Sequence, residues 1–507
     1  MSTGGVFQLI TNTGIQDHMI MATTRLNERI KEITTRKLRE MATANPEMGK
    51  EELQENEYSW MPLLKDIEKT HIMFVNSSYK PFVAMAHEYS KTPPRHGMAS
   101  LGNQFSFTLP IVGEFVNDMV MYVKLTGFSA VSATDKVRYV EYLGHRLIKS
   151  AKFKVQNHLF DEYYTDEQNA YYQFKVPKSK EAGYLRNIGQ EVPKLGYLTA
   201  DPTVDEVREY RWFGDGAQTF KQEQDDIELW IPLLFWFKDI QTSLPNFLLP
   251  MNQTDVEIEF EDESNLVAYA NYGGGGSYNV PVVSDCYLYV NHIFLLPSVM
   301  RIFTSRFGLQ LIRVHRRHTE TLTDSTDNVL LHSLKWPVEC LYIQFKPQSN
   351  LVSSQKWHRG SHITDVNVKE AVVTGVATIQ VNNAVYFTEE HCVSKLGLSA
   401  SDNVIYPELA PDFYNNYIPM RYGPNIKTPE QIGWYMMNFN FNPGDYQPSG
   451  HFNISRSREL YLKYTSALNS VSANIIRPTN QVDLTVLADC INFLVFKDGN
   501  ATLRFAT

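Results

Sequence analysis

The middle of the chain carries two hydrophobic patterns that predict neighbouring β-strands. Residues Leu229–Phe237 form a nearly continuous apolar run that includes two Trp and two Phe. The run is short for a helix, and Pro232 would disrupt a helix interior, so we expect a buried strand. Farther along, the sequence DVEIEF at 255–260 alternates acidic and apolar residues. Such alternation is typical of a strand with one face in the core and the other in solvent.

Strand-like segments of similar length recur along most of the chain. They are rich in aromatic and β-branched residues and are separated by turn-forming residues, as in β-sandwiches and barrels. Near the C-terminus, the sequence DGN at 498–500 lies between two apolar runs and predicts a tight hairpin turn. The clearest of the other segments are Phe105–Leu109, Val120–Leu125, Ala151–Val155, Cys286–Leu296, Leu309–Val314 and Leu334–Phe345.

Four stretches carry a different or mixed pattern. Ile15–Met41 spaces its apolar residues loosely on one side of a helix, and Asp161–Tyr172 is polar, aromatic and predicted to be helical. Val137–Leu147 fits a strand or a helix by its period, and Gly183–Gly216 is expected to be an irregular connection. The sequence therefore predicts an all-β protein with a helical N-terminal arm.

The strand-rich pattern occurs twice, with a glycine-rich stretch between the two occurrences. We therefore predict an N-terminal arm at 1–70, a first β-domain at 71–264, a glycine-rich linker at 265–282 and a second β-domain at 283–507. The two β-domains share no tight sequence repeat, so their similarity is inferred from pattern and length alone. The arm is either a solvated helix or an assembly arm that orders only against a neighbouring molecule.

Composition and charge narrow the possible classes. The chain has 507 residues, is 43% hydrophobic and has a formal net charge of −9, which argues against wrapping nucleic acid on a basic face. Its four cysteines have neither the spacing of a zinc site nor the density of a disulfide scaffold. We expect no signal peptide and no membrane-spanning helix, because no run reaches the roughly 20 apolar residues that a span requires.

The densest local charge cluster is the sequence HRRH at 315–318. Two histidines three residues apart in an extended segment do not aim at one ion without further ligands, so we do not predict a metal site. The cluster could bind phosphate or nucleic acid. Our default interpretation is a solvated loop or a contact between subunits. We expect His358 and His362 to be ordinary loop residues.

No segment predicts catalysis. Ser449 and His451 are close in sequence, but sequence proximity is not triad geometry, and the chain has no GxSxG motif. Glu257 and Glu259 are expected on the solvent face of a strand, without the cleft that a glycosidase acid requires. Gly273–Gly276 lacks the spacing and the terminal Lys-Ser/Thr of a phosphate loop. We therefore predict no catalytic residue, no cofactor and no bound metal.

Several longer segments are recognisable. The last quarter contains YQPSGHFNISRSRELYL (Tyr446–Leu462) and ends with INFLVFKDGNATLRFAT. Earlier segments include GGVFQLI (Gly4–Ile10), LYVNHIF (Leu288–Phe294) and a PxxYG segment (Pro419–Gly423), together with two segments inside Lys80–Val120. Together, and in this order along almost the whole chain, they resemble the major capsid proteins of nucleocytoplasmic large DNA viruses.

This resemblance implies a double jelly roll, which consists of two eight-stranded antiparallel β-sandwiches in one chain. It further implies a structural, non-enzymatic virion protein. In this family homotrimers form pseudo-hexagonal capsomers that tile the outer shell of a large icosahedral double-stranded DNA virus. The segment before Leu229 and the region after Gly273 are short for the family, so outer-surface functions of the loops are not carried over.

The resemblance also implies partners and a location. The expected partners are neighbouring capsomers and minor capsid and penton proteins, and the arm at 1–70 is expected near the inner capsid layer or membrane. No direct sequence-specific binding to nucleic acid is expected. Assembly is expected in the host cytoplasm at virus factories.

Two other functions were weighed. A carbohydrate-binding or cupin-like double sandwich would need a cluster of His and Glu ligands or a groove of exposed aromatic residues inside one sandwich. The sequence has no His-x-His ligand set, and its aromatic residues occupy core positions of strands. A minor capsid or scaffolding protein of the same virus class fits the full-length resemblance less well.

Overall fold

The computed structural model describes residues 85–505 with short gaps. The gaps are 193, 198–209, 214–215, 251–252, 271–276, 296–299, 301–307, 375–377, 402, 423–424, 458, 470–471 and 498–499. The predicted arm at 1–70 and the glycine run Gly273–Gly276 therefore lie outside the described residues.

The chain divides into two compact units. The larger unit comprises Tyr89–Ile111, Val116–Asn291 and Phe307–Thr507, and it holds most residues of both β-sandwiches. The smaller unit comprises the remaining residues, of which only a few are described. Within it, the backbone N–H of Leu295 donates a hydrogen bond to the Glu114 carboxylate at 3.0 Å.

The first part of the chain contributes strands β1 to β15. In chain order they are Met85–Thr92, Gln104–Thr108, Phe115–Leu125, Phe128–Ser129, Lys136–Tyr139, Ile148–Val155, His158–Tyr164, Lys194–Tyr197, Tyr210–Phe213, Glu223–Gln224, Ile227–Pro232, Leu244–Pro245, Thr254–Phe260, Val267–Ala270 and Val283–Leu295. Eight of them build one sandwich from two antiparallel sheets, ordered β1-β15-β3-β11 and β2-β13-β6-β7. The small pairs β4–β10, β5–β14 and β8–β9 lie outside these sheets.

The second part contributes strands β16 to β27. In chain order they are Leu309–Leu322, Thr326–Leu330, Pro337–Pro347, His362–Thr374, Thr378–Glu390, Val393–Ala400, Asn403–Leu409, Trp434–Asn438, Phe452–Asn453, Leu460–Ser466, Val482–Lys497 and Asn500–Leu503. Eight of them repeat the same arrangement, with sheets ordered β16-β26-β18-β23 and β17-β25-β21-β22. The predicted double jelly roll is confirmed.

Short helices connect the strands. Helices α1 to α5 are Leu143–Leu147, Thr165–Lys175, Lys178–Asn187, Gln348–Leu351 and Ile418–Arg421, and a π-helical turn, Phe413–Tyr417, directly precedes α5. Single 3-10 turns occur at Trp236–Lys238, Ile240–Thr242, Asn246–Leu248, Glu263–Asn265 and Ile454–Arg456. No helix in the described part of the chain is long and apolar enough to cross a membrane.

Alternation along the strands builds the cores. In β13, Val256, Ile258 and Phe260 are buried, whereas the acidic residues between them are only partly covered, as predicted. The core of the first sandwich is closed by aromatic rings, with Phe153 lying 5.6 Å from Phe235 and 5.2 Å from Trp236 between ring centres. The four cysteines are all buried and unpaired.

The predicted domain boundary differs from the structure by one strand. β15 hydrogen bonds between β1 and β3, so Val283–Leu295 belongs to the first sandwich, and the prediction that the second domain begins at residue 283 is wrong. The predicted linker at 265–282 is also wrong, because β14 pairs with β5 inside the first part of the chain. A jelly roll returns its last strand to the centre of its first sheet, so the loop before that strand resembles a boundary in sequence.

Two local predictions are partly wrong, and one open alternative is decided by the structure. The predicted strand Leu229–Phe237 ends at Pro232, which has no N–H for the next ladder position; the residues after it are buried in turns. The predicted helix Asp161–Tyr172 begins only at Thr165, because its first residues complete β7. The ambiguous Val137–Leu147 contains the end of β5 and then α1.

Candidate functional site

The HRRH sequence at 315–318 lies in the middle of β16, not in a solvated loop as predicted. Successive side chains in a strand point to opposite faces, so the cluster is divided. Arg316 places its guanidinium 4.1 Å from the ring centre of Trp336, and His318 is buried within the second sandwich. The cluster therefore does not form a single phosphate-binding patch.

The other two residues of the cluster contact the first sandwich. The backbone N–H of His315 donates to the Asp161 carboxylate at 2.8 Å, and its ring Nδ1 lies 3.1 Å from the same group. Arg317 lies 4.1 Å from the ring centre of Tyr164. Burial lowers the pKa of His315, but the Asp161 carboxylate outweighs this effect and raises the pKa above 6.5. The cluster is thus part of the contact between the two sandwiches.

Helix α2 is the main element of that contact. It begins after Tyr164, whose backbone N–H donates to the Glu167 carboxylate at 2.9 Å. Near its end, Phe174 places its ring 4.8 Å from Tyr342 and 6.1 Å from Trp434. Tyr342 and Trp434 belong to the outer face of the sheet β16-β26-β18-β23. We call this surface the covered face and define it by Tyr342, Trp434, Leu487 and Asp489.

Ion pairs hold both ends of α2. Asp166 in the first turn accepts from Lys346 at 2.7 Å, and Lys175 in the last turn donates to Asp489 at 2.6 Å. An acid at the start and a base at the end also suit the helix dipole. Burial would raise the pKa of Asp489, but Lys175 and His315 outweigh burial and hold the pKa below its usual range.

Side-chain amides of α2 bind the backbone of the second sandwich. The Gln173 side-chain oxygen accepts from the backbone N–H groups of Glu430 at 3.0 Å and Gln431 at 3.3 Å. The Asn169 amide donates to the carbonyl of His358 at 2.8 Å. Because these bonds join one side chain to fixed backbone groups, they set the position of one sandwich against the other.

His358 lies in a turn, as predicted, but it is buried at this contact. Its ring centre is 4.5 Å from that of Tyr142, and neither ring nitrogen has a hydrogen-bond partner among the described residues. Burial lowers the pKa of His358 well below 6.5, so the ring is neutral. His362 begins β19, where it pairs with Glu390.

Among the described residues, no hydrogen bond joins the two residues weighed for hydrolysis. The Ser449 hydroxyl accepts a hydrogen bond from the backbone N–H of Asn442 at 2.8 Å, which accounts for it as a loop contact. His451 is exposed just before β24. The pair therefore has no geometry for nucleophilic catalysis.

The two carboxylates weighed for glycosidase chemistry form cross-strand ion pairs. Glu257 pairs with Lys154, and Glu259 pairs with Lys149 at 2.8 Å. The hydrogen bond from Lys149 lowers the pKa of Glu259, which is opposite to the raised pKa that a general acid needs. Glu257 and Glu259 therefore contribute ion pairs between neighbouring strands at the sheet surface.

A cavity of about 130 Å³ opens beside the end of α2, lined by charged residues of both signs. Arg313 binds Glu339 through two hydrogen bonds of 2.5 and 3.2 Å. Burial, and then the nearby Lys175, lowers the pKa of Lys238 to about 8. Across the described ranges, no group of three or more His, Cys, Asp or Glu residues could hold a metal ion.

Sequence reasoning missed most of this contact. The only available signal was the polar and aromatic composition of Asp161–Tyr172, which predicts a helix without indicating the surface that it covers. The ion-pair partners of α2 lie far away along the chain: Lys346 is 180 positions from Asp166, and Asp489 is 314 positions from Lys175. Local sequence patterns do not report such distances.

The chain is similar to known proteins over nearly its whole length. Residues 74–296 match the family model for the N-terminus of major capsid proteins, and residues 309–502 match the model for the major capsid protein of large eukaryotic DNA viruses. The chain is 25% identical to the major capsid protein of African swine fever virus over a 669-residue alignment that covers 100% of both proteins. It is 21% identical to the major capsid protein of Simulium iridescent virus, covering 74% of this chain and 77% of that protein.

Solved structures of capsid proteins are also similar to this chain. The Faustovirus major capsid protein superposes with a TM-score of 0.74 at 27% identity, covering 95% of this chain and 100% of that chain. The PBCV-1 capsid gives a TM-score of 0.61 at 16% identity, covering 86% of this chain and 100% of that chain, and it supports the fold alone. These relatives are structural, non-enzymatic capsid proteins. With both sandwiches matched in order, the chain belongs to the family of major capsid proteins of large eukaryotic DNA viruses.

Proposed function

We propose that this capsid protein forms homotrimers with a pseudo-hexagonal outline, and that these capsomers tile the outer shell of a large icosahedral double-stranded DNA virus. The observation that carries the proposal is the internal repeat. Sheets β1-β15-β3-β11 and β16-β26-β18-β23 have the same order, so one chain supplies two similar building blocks. Three such chains supply six.

The rigid contact between the two sandwiches supports this role. A capsid subunit must keep its shape while it packs against its neighbours. The buried α2 contact joins the two sandwiches through ion pairs, side-chain amides and aromatic packing. Loops between rigid strands can then vary without loss of the scaffold.

Family membership also supports a proposal about specific partners. We propose that the capsomers contact one another and the minor capsid and penton proteins, and that the arm at 1–70 lies at the base, near the inner capsid layer or membrane. Assembly is proposed to take place in the host cytoplasm.

The test is the mass and outline of the purified full-length protein. Light scattering after size-exclusion chromatography should give three times the chain mass of 58.3 kDa, and negative-stain images should show hexagonal particles. A stable monomer at micromolar concentration would overturn the proposal. A melting temperature that rises with added sugars would then favour the carbohydrate-binding alternative.

A further inference from the structure

The first sandwich carries a counterpart of the covered face that the described residues leave partly exposed. The outer face of sheet β1-β15-β3-β11 presents Tyr122, Trp230, Tyr287 and Tyr289, which we call the aromatic face. Tyr122 and Trp230 are direct cross-strand partners with ring centres 4.7 Å apart, and Trp230 lies 5.4 Å from Tyr289. The face therefore forms one continuous aromatic surface across three strands.

The two faces are equivalent by strand position. β3 corresponds to β18, and β11 corresponds to β23, because the sheet orders match. On both pairs of strands a Tyr and a Trp lie on the outer face, although Tyr122 pairs directly with Trp230, whereas Trp434 pairs with Gln344. Tyr342 and Trp434 are 4% and 0% exposed, whereas Trp230 is 38% exposed. Clustered aromatic residues at a protein surface mark an interaction site, since they bury a large apolar area.

The same repeat indicates what covers such a face. Within the chain, α2 lies on the covered face. This helix follows β7, which is the edge strand of the sheet β2-β13-β6-β7. In the second sandwich, β22 holds the equivalent edge, and the helical residues 413–421 follow it. These residues are therefore the counterpart of α2.

The helical residues 413–421 expose an apolar side. Tyr414 and Ile418 are buried against the second sandwich, but Tyr417 is 46% exposed and Met420 is 68% exposed. Neither large side chain fills the core of its own sandwich. Tyr417 and Met420 therefore remain available to pack against a second surface.

The margin of the aromatic face carries charges of both signs. Glu228 on β11 pairs with Lys124 at 3.8 Å, and Lys91 lies 3.5 Å from the ring centre of Tyr287. The helical residues 413–421 end with the exposed Arg421. The apolar and aromatic side chains, and not charge, therefore carry the contact.

We propose that the helical residues 413–421 of one copy dock on the aromatic face of a second copy, with Tyr417 and Met420 in the role that Phe174 has within the chain. This inference rests on the proposed self-association. The contact is heterologous, since each copy offers one helix and one aromatic face, and such contacts close into rings. Three contacts of this kind complete the proposed trimer.

Cysteine cross-linking tests the pairing. Because the four native cysteines are buried, the full-length double variant Trp230→Cys/Met420→Cys presents two accessible thiols. With a short bismaleimide it should give covalent trimers on denaturing gels. An equimolar mixture of the two single variants should give dimers, and each single variant alone should remain monomeric, because a heterologous contact does not bring either position next to itself.

Two results would overturn the pairing. One is a native trimer whose double variant gives no covalent product. The other is dimerisation of Trp230→Cys alone, which would indicate an isologous contact. The matched control replaces Trp230→Cys with Met98→Cys, which is also on the first sandwich and is 77% exposed, and it should give no cross-linked trimer.

Charge insertion gives a second, quantitative test. Trp230→Glu or Met420→Glu should raise the concentration at which half of the trimer dissociates by about ten-fold or more, as at other interface hot spots. Phe441→Glu, at a position 79% exposed, is the control. If the unchanged chain never forms trimers, the proposed function fails. If the unchanged chain forms trimers, and both variants dissociate at the same concentration as the unchanged chain, only the proposed docking surface is wrong.

Discussion

Phe174 lies with its ring 4.8 Å from that of Tyr342, and this contact joins the two sandwiches of one chain. Phe174 belongs to α2 of the first sandwich, and Tyr342 belongs to β18 of the second. Both rings are buried, together with Trp434 beside them. The contact makes a single rigid unit of two domains that each have their own sheets.

Removing the Phe174 ring should loosen this unit. Phe174→Ala leaves a cavity among buried aromatic residues, and such truncations cost about 3–5 kcal/mol. We expect guanidinium unfolding, followed by tryptophan fluorescence and far-UV circular dichroism, to shift to lower denaturant and to separate into two transitions. Phe441→Ala, at an exposed position, should change the unfolding free energy by less than about 0.5 kcal/mol. Equal effects of the two variants would contradict this assignment.

The Lys175–Asp489 pair should matter more than ion pairs at the surface. Asp489→Asn leaves Lys175 without its carboxylate in a mostly buried position, and breaking such a pair costs about 3 kcal/mol. Glu430→Gln breaks the exposed pair of Lys178 with Glu430 and should cost about 0–1 kcal/mol. Urea unfolding of both variants at pH 7 measures the difference. A double variant Lys175→Met/Asp489→Leu should recover much of the loss, and failure to do so would point to a role beyond the pair.

Buried histidines should make the protein less stable in acid. Burial lowers the pKa of His145 from 6.5 to about 3, so the unfolded chain binds a proton that the folded protein does not bind. The contribution of His145 to stability is therefore present above pH 6.5 and is lost as the pH falls from 6.5 toward 3. At about 1.4 kcal/mol per pH unit, the loss from this residue is about 2 kcal/mol at pH 5.

Urea unfolding at pH 7 and pH 5 checks this dependence. His145→Gln should reduce the difference in unfolding free energy between the two pH values by about 2 kcal/mol, because no proton is then taken up at this position on unfolding. His451→Gln, at an exposed position, should leave the difference unchanged. The buried His358 contributes in the same direction, since burial also lowers its pKa. An unaltered pH dependence in His145→Gln would rule out His145 as a cause.

Two glycines should respond oppositely to alanine. Gly433 has φ of +98°, and an added Cβ would lie 2.2 Å from the carbonyl oxygen of Gly360, so Gly433→Ala should cost about 2 kcal/mol or more. Gly183 lies inside α3, where an added Cβ meets no atom within 4 Å other than its chain neighbours and the backbone of its own helix, so Gly183→Ala should stabilise the protein by about 0.5–1 kcal/mol. Thermal unfolding of both variants should show shifts of opposite sign. A stable Gly433→Ala protein would mean that the two backbones can separate without loss.

Local patterns predicted much of the secondary structure. The alternation at 255–260 identified β13 and its buried face. Residues 498–499 of the predicted turn lie outside the described residues, and Lys497 and Asn500 on either side of them pair antiparallel. Both predictions depend on neighbouring residues, because strand period and turn chemistry are properties of a few consecutive positions.

The domain boundary and the candidate site could not be predicted in this way. β15 is a clear strand in sequence, yet its place between β1 and β3 depends on strands that are far away along the chain. The HRRH cluster looked like a solvated loop, because nothing near it in sequence indicates Asp161, 154 positions earlier. Charged residues in a strand are expected in solvent unless a distant partner covers them.

The sequence by itself determined that the chain is all-β, where most strands run, which faces they bury, and which family it resembles. Only the tertiary structure decided which strands share a sheet, that α2 covers the second sandwich, and that the described residues leave the equivalent aromatic face of the first sandwich partly exposed. The physical reason is that hydrophobic period reports how one strand divides its own side chains between core and surface. The partner at each face is chosen by packing between segments separated by more than a hundred residues, which no local pattern records.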